Sequence, residues 1–235
     1  MCEMLAVAAP EPVFLLDLMG WARLLDELGI AGFGWGVAWE DGGRVRRYRC
    51  ADGIRRDERA RQVLAGARSR RVLFHLRRPS LMSSVSLPNS QPYLDPGQGW
   101  AFAHNGYLER HREHRGAFAD RLEGTSDSEV GFHLWLSRLE AGDGPGDALA
   151  QVHRTLGGGA NLMALSAGGR LVAYAGNPEN RCLQLRVDGL AMVTTTLHSP
   201  DGFVLDAVFA QARDAREMAL GEALELADAG AALPG

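Results

Sequence analysis

Residues 100–108 read WAFAHNGYL, and this stretch does most to decide the fold of the chain. It begins with a short apolar run, which is typical of a buried strand, and reaches the dipeptide Asn105-Gly106, which is common in turns. The simplest interpretation is a strand followed by an ordinary turn. A functional interpretation is also open. The side-chain amide of Asn105 and the backbone N–H of Gly106 would form an oxyanion hole, and glycine lets a substrate approach the backbone closely.

Strands and helices follow one another irregularly on both sides of this stretch. Short apolar runs and turn dipeptides predict strands at 2–8, 71–77, 160–166, 170–175, 182–187 and 190–196, and a hairpin over 34–49. Helical spacing predicts helices at 13–28, 57–69, 107–122, 127–141, 146–156 and 205–228, the last followed by a loose tail. The mixture predicts the α+β class, with stacked sheets, in a single domain over residues 1–235.

Composition and charge narrow the classes of function. The chain has 235 residues with a net charge of −4, which gives no indication of a nucleic-acid partner. Cys2, Cys50 and Cys182 are scattered and odd in number, which favours a reducing compartment over a zinc or disulfide framework. Neither a signal peptide nor a long apolar span is evident, so we expect a cytoplasmic protein without a membrane partner. His111 and His114 lack a third ligand at suitable spacing, so we expect no metal, and no other cofactor is indicated.

The second residue of the chain is a cysteine. If Met1 is removed, Cys2 carries a thiol and a free α-amino group, and the two can act as nucleophile and base within one residue. The alternative is an inert core cysteine at the start of a strand. Position alone does not decide between these interpretations.

Two further sites have charged residues at the ends of predicted elements. Arg77 ends a strand, where its guanidinium would clamp a carboxylate or simply face solvent. Residues 126–129 read SDSE, a capping-box pattern at the start of a helix. Asp127 would then either only cap the helix or also pair with a substrate ammonium.

Taken together and in order, five pieces resemble the class II glutamine amidotransferase domain, a member of the N-terminal-nucleophile hydrolases. The pieces are MC at 1–2, GWGV at 34–37, HLR at 75–77, WAFAHNGYL at 100–108 and SDSE at 126–129. The resemblance covers roughly residues 2–200. The chain is similar to the short, free-standing members of the family, including those like the ergothioneine-pathway γ-glutamyl hydrolase.

This resemblance implies a four-layer αββα sandwich with two antiparallel sheets between helical layers. It also implies that Cys2 attacks the side-chain amide of glutamine while its own α-amino group relays the proton. Asn105 and Gly106 would stabilise the tetrahedral oxyanion. Arg77 would bind the substrate α-carboxylate and Asp127 the α-ammonium. An active protein would therefore lack Met1.

The sequence departs from the family pattern after the arginine. Arg78-Pro79-Ser80 stands where many members have an aromatic residue followed by Ala-Thr. The Ser80 hydroxyl would replace the threonine as a contact for the substrate carboxylate. Pro79 restricts the backbone on both sides and so bears on substrate preference.

No second domain that would consume ammonia is evident in the sequence. The main hypothesis is a glutaminase-type hydrolase, with a separate synthase subunit as a possible partner that accepts ammonia. A second hypothesis is a dedicated hydrolase of a γ-glutamyl conjugate. A third, from another class, is a catalytically silent regulatory subunit that keeps the architecture of the site.

Overall fold

Two antiparallel sheets lie face to face between layers of helices in the computed structural model, which describes residues 2–29, 31–199 and 202–227. The strands are β1 (Glu3–Phe14), β2 (Trp35–Asp41), β3 (Arg44–Cys50), β4 (Arg68–Leu76), β5 (Tyr93–Leu94), β6 (Trp100–Gly106), β7 (Ala160–Ser166), β8 (Leu171–Tyr174), β9 (Cys182–Val187), β10 (Leu190–Thr195), β11 (Arg213–Glu217) and β12 (Ala223–Glu225). The helices are α1 (Leu15–Leu28), α2 (Arg59–Leu64), α3 (His111–Arg115), α4 (Asp127–Glu140), α5 (Pro145–Leu156) and α6 (Gly202–Val208). Short 3-10 helices cover Met82–Ser84 and Gly116–Arg121.

The described strands form one larger and one smaller sheet. The larger sheet has the order β11-β9-β10-β1-β4-β2-β3, and the smaller has β12-β8-β7-β6-β5. β1 lies inside the larger sheet, paired with β4 and β10, and its side chains alternate between two apolar environments. Leu5 and Val7 face the layer of α1, whereas Met4 and Ala6 face the smaller sheet.

Three apolar clusters among the described residues hold the layers together. One packs α1, α2 and α6 on the outer face of the larger sheet, and another packs α4 and α5 on the outer face of the smaller sheet. The third lies between the sheets and is rich in small side chains, among them Ala6, Ala103 and Ala173. The α+β class and the antiparallel sheets with helices on their outer faces, as predicted, are confirmed. That residues 1–235 form a single domain stays a prediction.

The predicted helix over 205–228 is wrong beyond Val208. The chain leaves α6 and forms β11 and β12, which extend the edges of the two sheets by pairing with β9 and β8. Gly221 has a φ of +88°, which no continuous helix tolerates. Pairing at a sheet edge satisfies backbone groups that a helix would have satisfied internally, and this long-range gain is invisible to local spacing. Residues 228–235, which hold the end of that predicted helix and the predicted loose tail, lie outside the described residues.

Two predictions around the WAFAHNGYL stretch also need correction. Asn105-Gly106 does not form a turn, because β6 continues through Gly106, which pairs with Ala160 of β7. The helix predicted over 107–122 is divided into α3 and a 3-10 segment, with Tyr107 and Leu108 in a connecting loop.

Candidate active site

A cavity of about 470 Å³ opens where the ends of β1, β4, β6 and α4 meet. It is lined by most of the residues expected to act together: Cys2, Arg77, Ser80, Gly106 and Asp127. Strand register explains part of this convergence. Glu3 of β1 pairs with Leu76 of the adjacent antiparallel strand β4. The residues just beyond that pair, Cys2 and Arg77, therefore lie side by side where the two strands leave the sheet.

The thiol of Cys2 is half-buried beside the cavity. Its Sγ lies 3.7 Å from the carbonyl oxygen of Arg78. Burial raises the pKa of the Cys2 thiol above its ordinary value, and the nearby charge of Arg77 only partly offsets this. The thiol is therefore protonated at neutral pH, and a base is needed to make it a nucleophile.

Asn105 is fully buried and lies behind the cavity wall. Its Oδ1 accepts hydrogen bonds from Nδ2 of Asn161, at 3.0 Å, and from Nδ2 of Asn177, at 3.1 Å. These two donors fix the orientation of the amide, so its nitrogen points toward Cys2 and donates to the Cys2 backbone carbonyl. Asn180 donates to the same carbonyl at 3.3 Å. A cluster of asparagines therefore fixes the backbone that carries the thiol.

Gly106 lines the cavity at a position that only glycine can occupy. Its φ is +115°, and a Cβ here would overlap the carbonyl oxygen of Gly159 and lie 2.9 Å from Nδ2 of Asn177. The glycine lets β6 approach the Gly159 backbone, and the Tyr107 N–H then donates to the Gly159 carbonyl at 2.9 Å.

Arg77 is buried, with 5% of its surface exposed, and its backbone is held by Gly34, whose carbonyl accepts its N–H at 2.8 Å. Nη2 of its guanidinium donates to Ser84 Oγ at 2.8 Å, whereas Nη1 is buried and has no hydrogen-bond partner among the described residues. Burial lowers the pKa of Arg77, but an arginine remains charged at neutral pH. The structure thus presents a charged donor toward the cavity. Ser80 is exposed at the cavity mouth, and the serine that contacts Arg77 is Ser84.

Asp127 is the first residue of α4, and Ser126 caps the helix by accepting the Glu129 N–H at 3.3 Å. Oδ2 of Asp127 accepts the Leu108 N–H at 2.8 Å. Glu129 does not complete the capping box, because its carboxylate accepts N–H groups in the preceding loop, those of Glu123 and Gly124. The cap and the Leu108 contact hold the Asp127 carboxylate at the cavity wall.

A second set of buried residues lies beside Cys2 and could not be predicted from the sequence. The Glu3 carboxylate is fully buried and accepts hydrogen bonds from Asn180 Nδ2, at 3.0 Å, and from Thr195 Oγ1. Burial raises the pKa of Glu3 to about 7. No local signal identifies this set, because Glu3 and Thr195 are 192 positions apart and meet only through the pairing of β1 with β10.

Other kinds of site are not evident in the described part of the chain. No group of three or more His, Cys, Asp or Glu side chains there is arranged to hold a metal ion. None of its helices combines the length and apolar character that crossing a membrane requires.

Several solved structures share this architecture. Glutamine phosphoribosylpyrophosphate amidotransferase from B. subtilis, complexed with ADP and GMP, superimposes with a TM-score of 0.72 at 19% identity, over 95% of this chain and 47% of that one. A glutamine aminotransferase class-II domain protein from Silicibacter pomeroyi gives 0.58 at 24% identity, covering 83% and 88% of the two chains. A predicted glutamine amidotransferase from Pseudomonas aeruginosa gives 0.58 at 18% identity, over 100% of both chains. At these identities the likeness shows the fold, which is that of N-terminal-nucleophile amidotransferases. The chain spans about half the length of the B. subtilis enzyme.

The sequence profile described as "Glutamine amidotransferases class-II" matches residues 1–189. The chain therefore belongs to the class II glutamine amidotransferase family. Among curated protein sequences, none is similar enough to this chain to count as a match.

Proposed function

We propose that this protein hydrolyses the side-chain amide of glutamine, or of a related γ-glutamyl amide, through a thioester on Cys2. One observation carries the proposal. A single cavity is lined by Cys2, by Arg77, whose buried Nη1 has no hydrogen-bond partner among the described residues, and by Asp127. This combination suits a γ-glutamyl group whose α-carboxylate and α-ammonium are both free and whose side-chain carbonyl is the reactive centre. We call this group the γ-glutamyl head.

The two charged residues fix both charges of that head. Arg77 Nη1 donates to the α-carboxylate, and the bond from Nη2 to Ser84 keeps the guanidinium aimed into the cavity. Asp127 accepts from the α-ammonium through lone pairs that the Leu108 N–H leaves free. Holding both ends orients the γ-carbonyl against Sγ, which makes the attack effectively intramolecular.

The α-amino group of Cys2, exposed when Met1 is removed, serves as the base. It takes the thiol proton as Sγ bonds to the carbonyl carbon of the side-chain amide, and it returns this proton to the departing nitrogen as the C–N bond breaks. Water then attacks the thioester, and the sulfur leaves as the thiol. The products are glutamate and ammonia, or glutamate and an amine when the amide nitrogen is substituted.

Asn105 and Gly106 are proposed to stabilise the oxyanion of the tetrahedral intermediate. The Asn105 nitrogen carries two N–H groups, so one donates to the Cys2 carbonyl and the other is left to donate to the oxyanion. The partners Asn161 and Asn177 hold the amide in the orientation that this requires. Losing one such donor costs on the order of 100-fold in rate.

The fate of the nitrogen separates two versions of the proposal. In the first, a separate synthase subunit accepts ammonia. In the second, the protein is a dedicated hydrolase that releases an amine from a γ-glutamyl conjugate.

Cys2, Cys50 and Cys182 are all free thiols, which supports a reducing compartment such as the cytoplasm.

Turnover by matched cysteine variants tests the proposal. Purified protein is incubated with glutamine and with γ-glutamyl amides, and released glutamate is measured. Cys2→Ala should abolish release, whereas Cys50→Ala, which removes a half-buried thiol on β3 away from the cavity, should retain it. Full activity of the Cys2→Ala variant would show that another group is the nucleophile. No release by the unmodified protein lacking Met1 would favour the silent regulatory subunit.

A further inference from the structure

The cavity carries more positive charge than a γ-glutamyl head requires. Among the described residues, its lining includes four arginines, Arg77, Arg78, Arg112 and Arg115, and a single carboxylate, that of Asp127. In the proposed function, Arg77 and Asp127 pair with the carboxylate and the ammonium of the head, which leaves no net charge. Three guanidiniums therefore remain without a substrate partner.

Arg115 is the best defined of the three. Its Nη2 donates to the Gly124 carbonyl at 2.5 Å, which anchors the guanidinium at the cavity wall. Its Nη1 is buried and has no hydrogen-bond partner among the described residues. A buried donor on a charged group is costly when it is left unpaired, so an anion bound here would recover lost free energy.

Arg112 lies three residues before Arg115 in α3, and the two side chains therefore share one face of the helix. Arg112 is exposed and lines the same cavity, and neither arginine forms an ion pair with a described carboxylate. Arg78 follows Arg77 at the cavity mouth and is also exposed. α3 thus presents an anchored guanidinium and an exposed one to the same cavity.

We propose that the leaving amine of the substrate carries an anionic group, which Arg112 and Arg115 bind. This inference rests on the proposed function and names the class of γ-glutamyl amide that the site prefers. Ammonia leaving from glutamine has no group that would fill this part of the cavity. The cavity volume of about 470 Å³ lies within the usual range for larger ligands, about 300–1,000 Å³. The guanidinium fork matches a carboxylate in two parallel hydrogen bonds.

The reaction is the one already described, with a substituted nitrogen. The Sγ–C bond forms, the C–N bond breaks, and the thiol proton passes to the amine nitrogen. One water then splits the thioester into glutamate and free thiol. The anionic amine leaves unchanged, without an oxidant or a further reactant.

The test compares two substrates that differ only in the charge of the leaving amine. γ-Glutamyl-glycine has a carboxylate where γ-glutamyl-glycinamide has a neutral amide of similar size. We expect kcat/KM to be at least about tenfold higher for γ-glutamyl-glycine, as a hydrogen-bonded charge pair would give. Equal values, together with normal turnover of glutamine, would overturn this inference and leave the proposed function standing.

Binding to the Cys2→Ala protein gives a readout without turnover. Calorimetry with the same two compounds should show at least about tenfold tighter binding of γ-glutamyl-glycine. Equal affinities overturn the inference alone, whereas no binding of either compound counts against the proposed function as well. γ-Glutamyltaurine, which carries a sulfonate, shows whether the preference extends beyond carboxylates.

Arginine variants assign the preference to α3. Arg112→Gln and Arg115→Gln should each bring the ratio of the two kcat/KM values toward one, and Arg112, being exposed, can be replaced without disturbing the core. Arg61→Gln, which removes an exposed arginine on α2 away from this cavity, should keep the original ratio. A loss of activity that is equal for both substrates in the Arg115→Gln variant would show that Arg115 serves the γ-glutamyl head instead.

Discussion

Glu3 shows how a single residue beside Cys2 makes stability depend on pH. Its Oε1 is buried without a hydrogen-bond partner among the described residues, and the nearest imidazole nitrogen, His198 Nε2, is 4.0 Å away. Burial raises the pKa of Glu3 from 4.5 to about 7. The folded protein therefore binds this proton more tightly than the unfolded chain does. The resulting stability is complete below about pH 4.5 and is lost as the pH rises to about 7.

The variant Glu3→Gln should remove this pH dependence. Its amide nitrogen would occupy the unpartnered position of Oε1, and its oxygen would still accept from Asn180 and Thr195. Relative to the variant, the wild-type free energy of unfolding should fall by up to about 3 kcal/mol between pH 4.5 and pH 7.5. Urea unfolding across that range measures the difference. Glu58→Gln, at an exposed glutamate, controls for the loss of a surface charge, and an identical pH profile in both variants would contradict the account.

Ser84 is expected to position Arg77 for binding the substrate carboxylate. Ser84→Ala removes the acceptor of Nη2, so KM for glutamine should rise about tenfold with a smaller change in kcat. Ser84→Thr keeps the hydroxyl and should restore much of the affinity. The same measurement of KM for glutamine on Ser80→Ala compares the contributions of the two serines to substrate binding. A larger rise in KM for Ser80→Ala than for Ser84→Ala would favour the direct contact by Ser80 that the family resemblance predicts.

At the scale of elements, β6 depends on the backbone conformation of its last residue. Gly106→Ala would force a side chain into a φ of +115° and against the Gly159 carbonyl. We expect a loss of more than about 2 kcal/mol in the free energy of unfolding. Gly116→Ala is the matched control, because its φ is −60° and its surroundings are open, so it should be neutral or stabilise by up to about 1 kcal/mol. Thermal and urea unfolding of both variants would test this, and equal effects would contradict it.

Elements whose signal is local could be predicted from the sequence. The leucines of α1, the Asp-Gly-Gly turn between β2 and β3 and the cap at Ser126 all act within a few residues. β11 and β12 could not be predicted, because what makes them strands is their pairing with β9 and β8, far away in sequence. The prediction of a turn at Asn105-Gly106 was wrong for the same reason, because β7, the strand that pairs with this part of β6, lies more than 50 residues further along the chain.

At the scale of the whole molecule, small side chains set the spacing between the two sheets. Ala103 of β6 is fully buried in the layer that also contains Ala6, from β1 of the facing sheet, and Ala173, from β8 of the same sheet. Ala103→Leu adds volume that this layer can admit only by moving the sheets, which should destabilise the fold by about 1–3 kcal/mol. Ala117→Leu, at an exposed position, controls for the change of residue type. Urea unfolding compares the two, and equal stabilities would contradict tight packing between the sheets.

The assembly of the whole molecule explains which parts of the site could be predicted from the sequence. Cys2, Arg77, Gly106 and Asp127 could be inferred because each belongs to a short motif, and the fold brings all four to one cavity. Their support could not be inferred. Asn161, Asn177 and Asn180 lie in and beyond β7, and nothing in their local sequence indicates that they fix Asn105 or the Cys2 backbone.

The central claim is that Cys2, with a free α-amino group, is the nucleophile. A glutamine-mimicking diazo ketone tests it most directly, because the reagent alkylates a thiol that attacks a bound γ-carbonyl mimic. Intact-mass and peptide-mass analysis should find a single adduct on Cys2, in protein that lacks Met1, and excess glutamine should slow its formation. An adduct on Cys50 or Cys182 instead, or full activity in protein that retains Met1, would contradict the account.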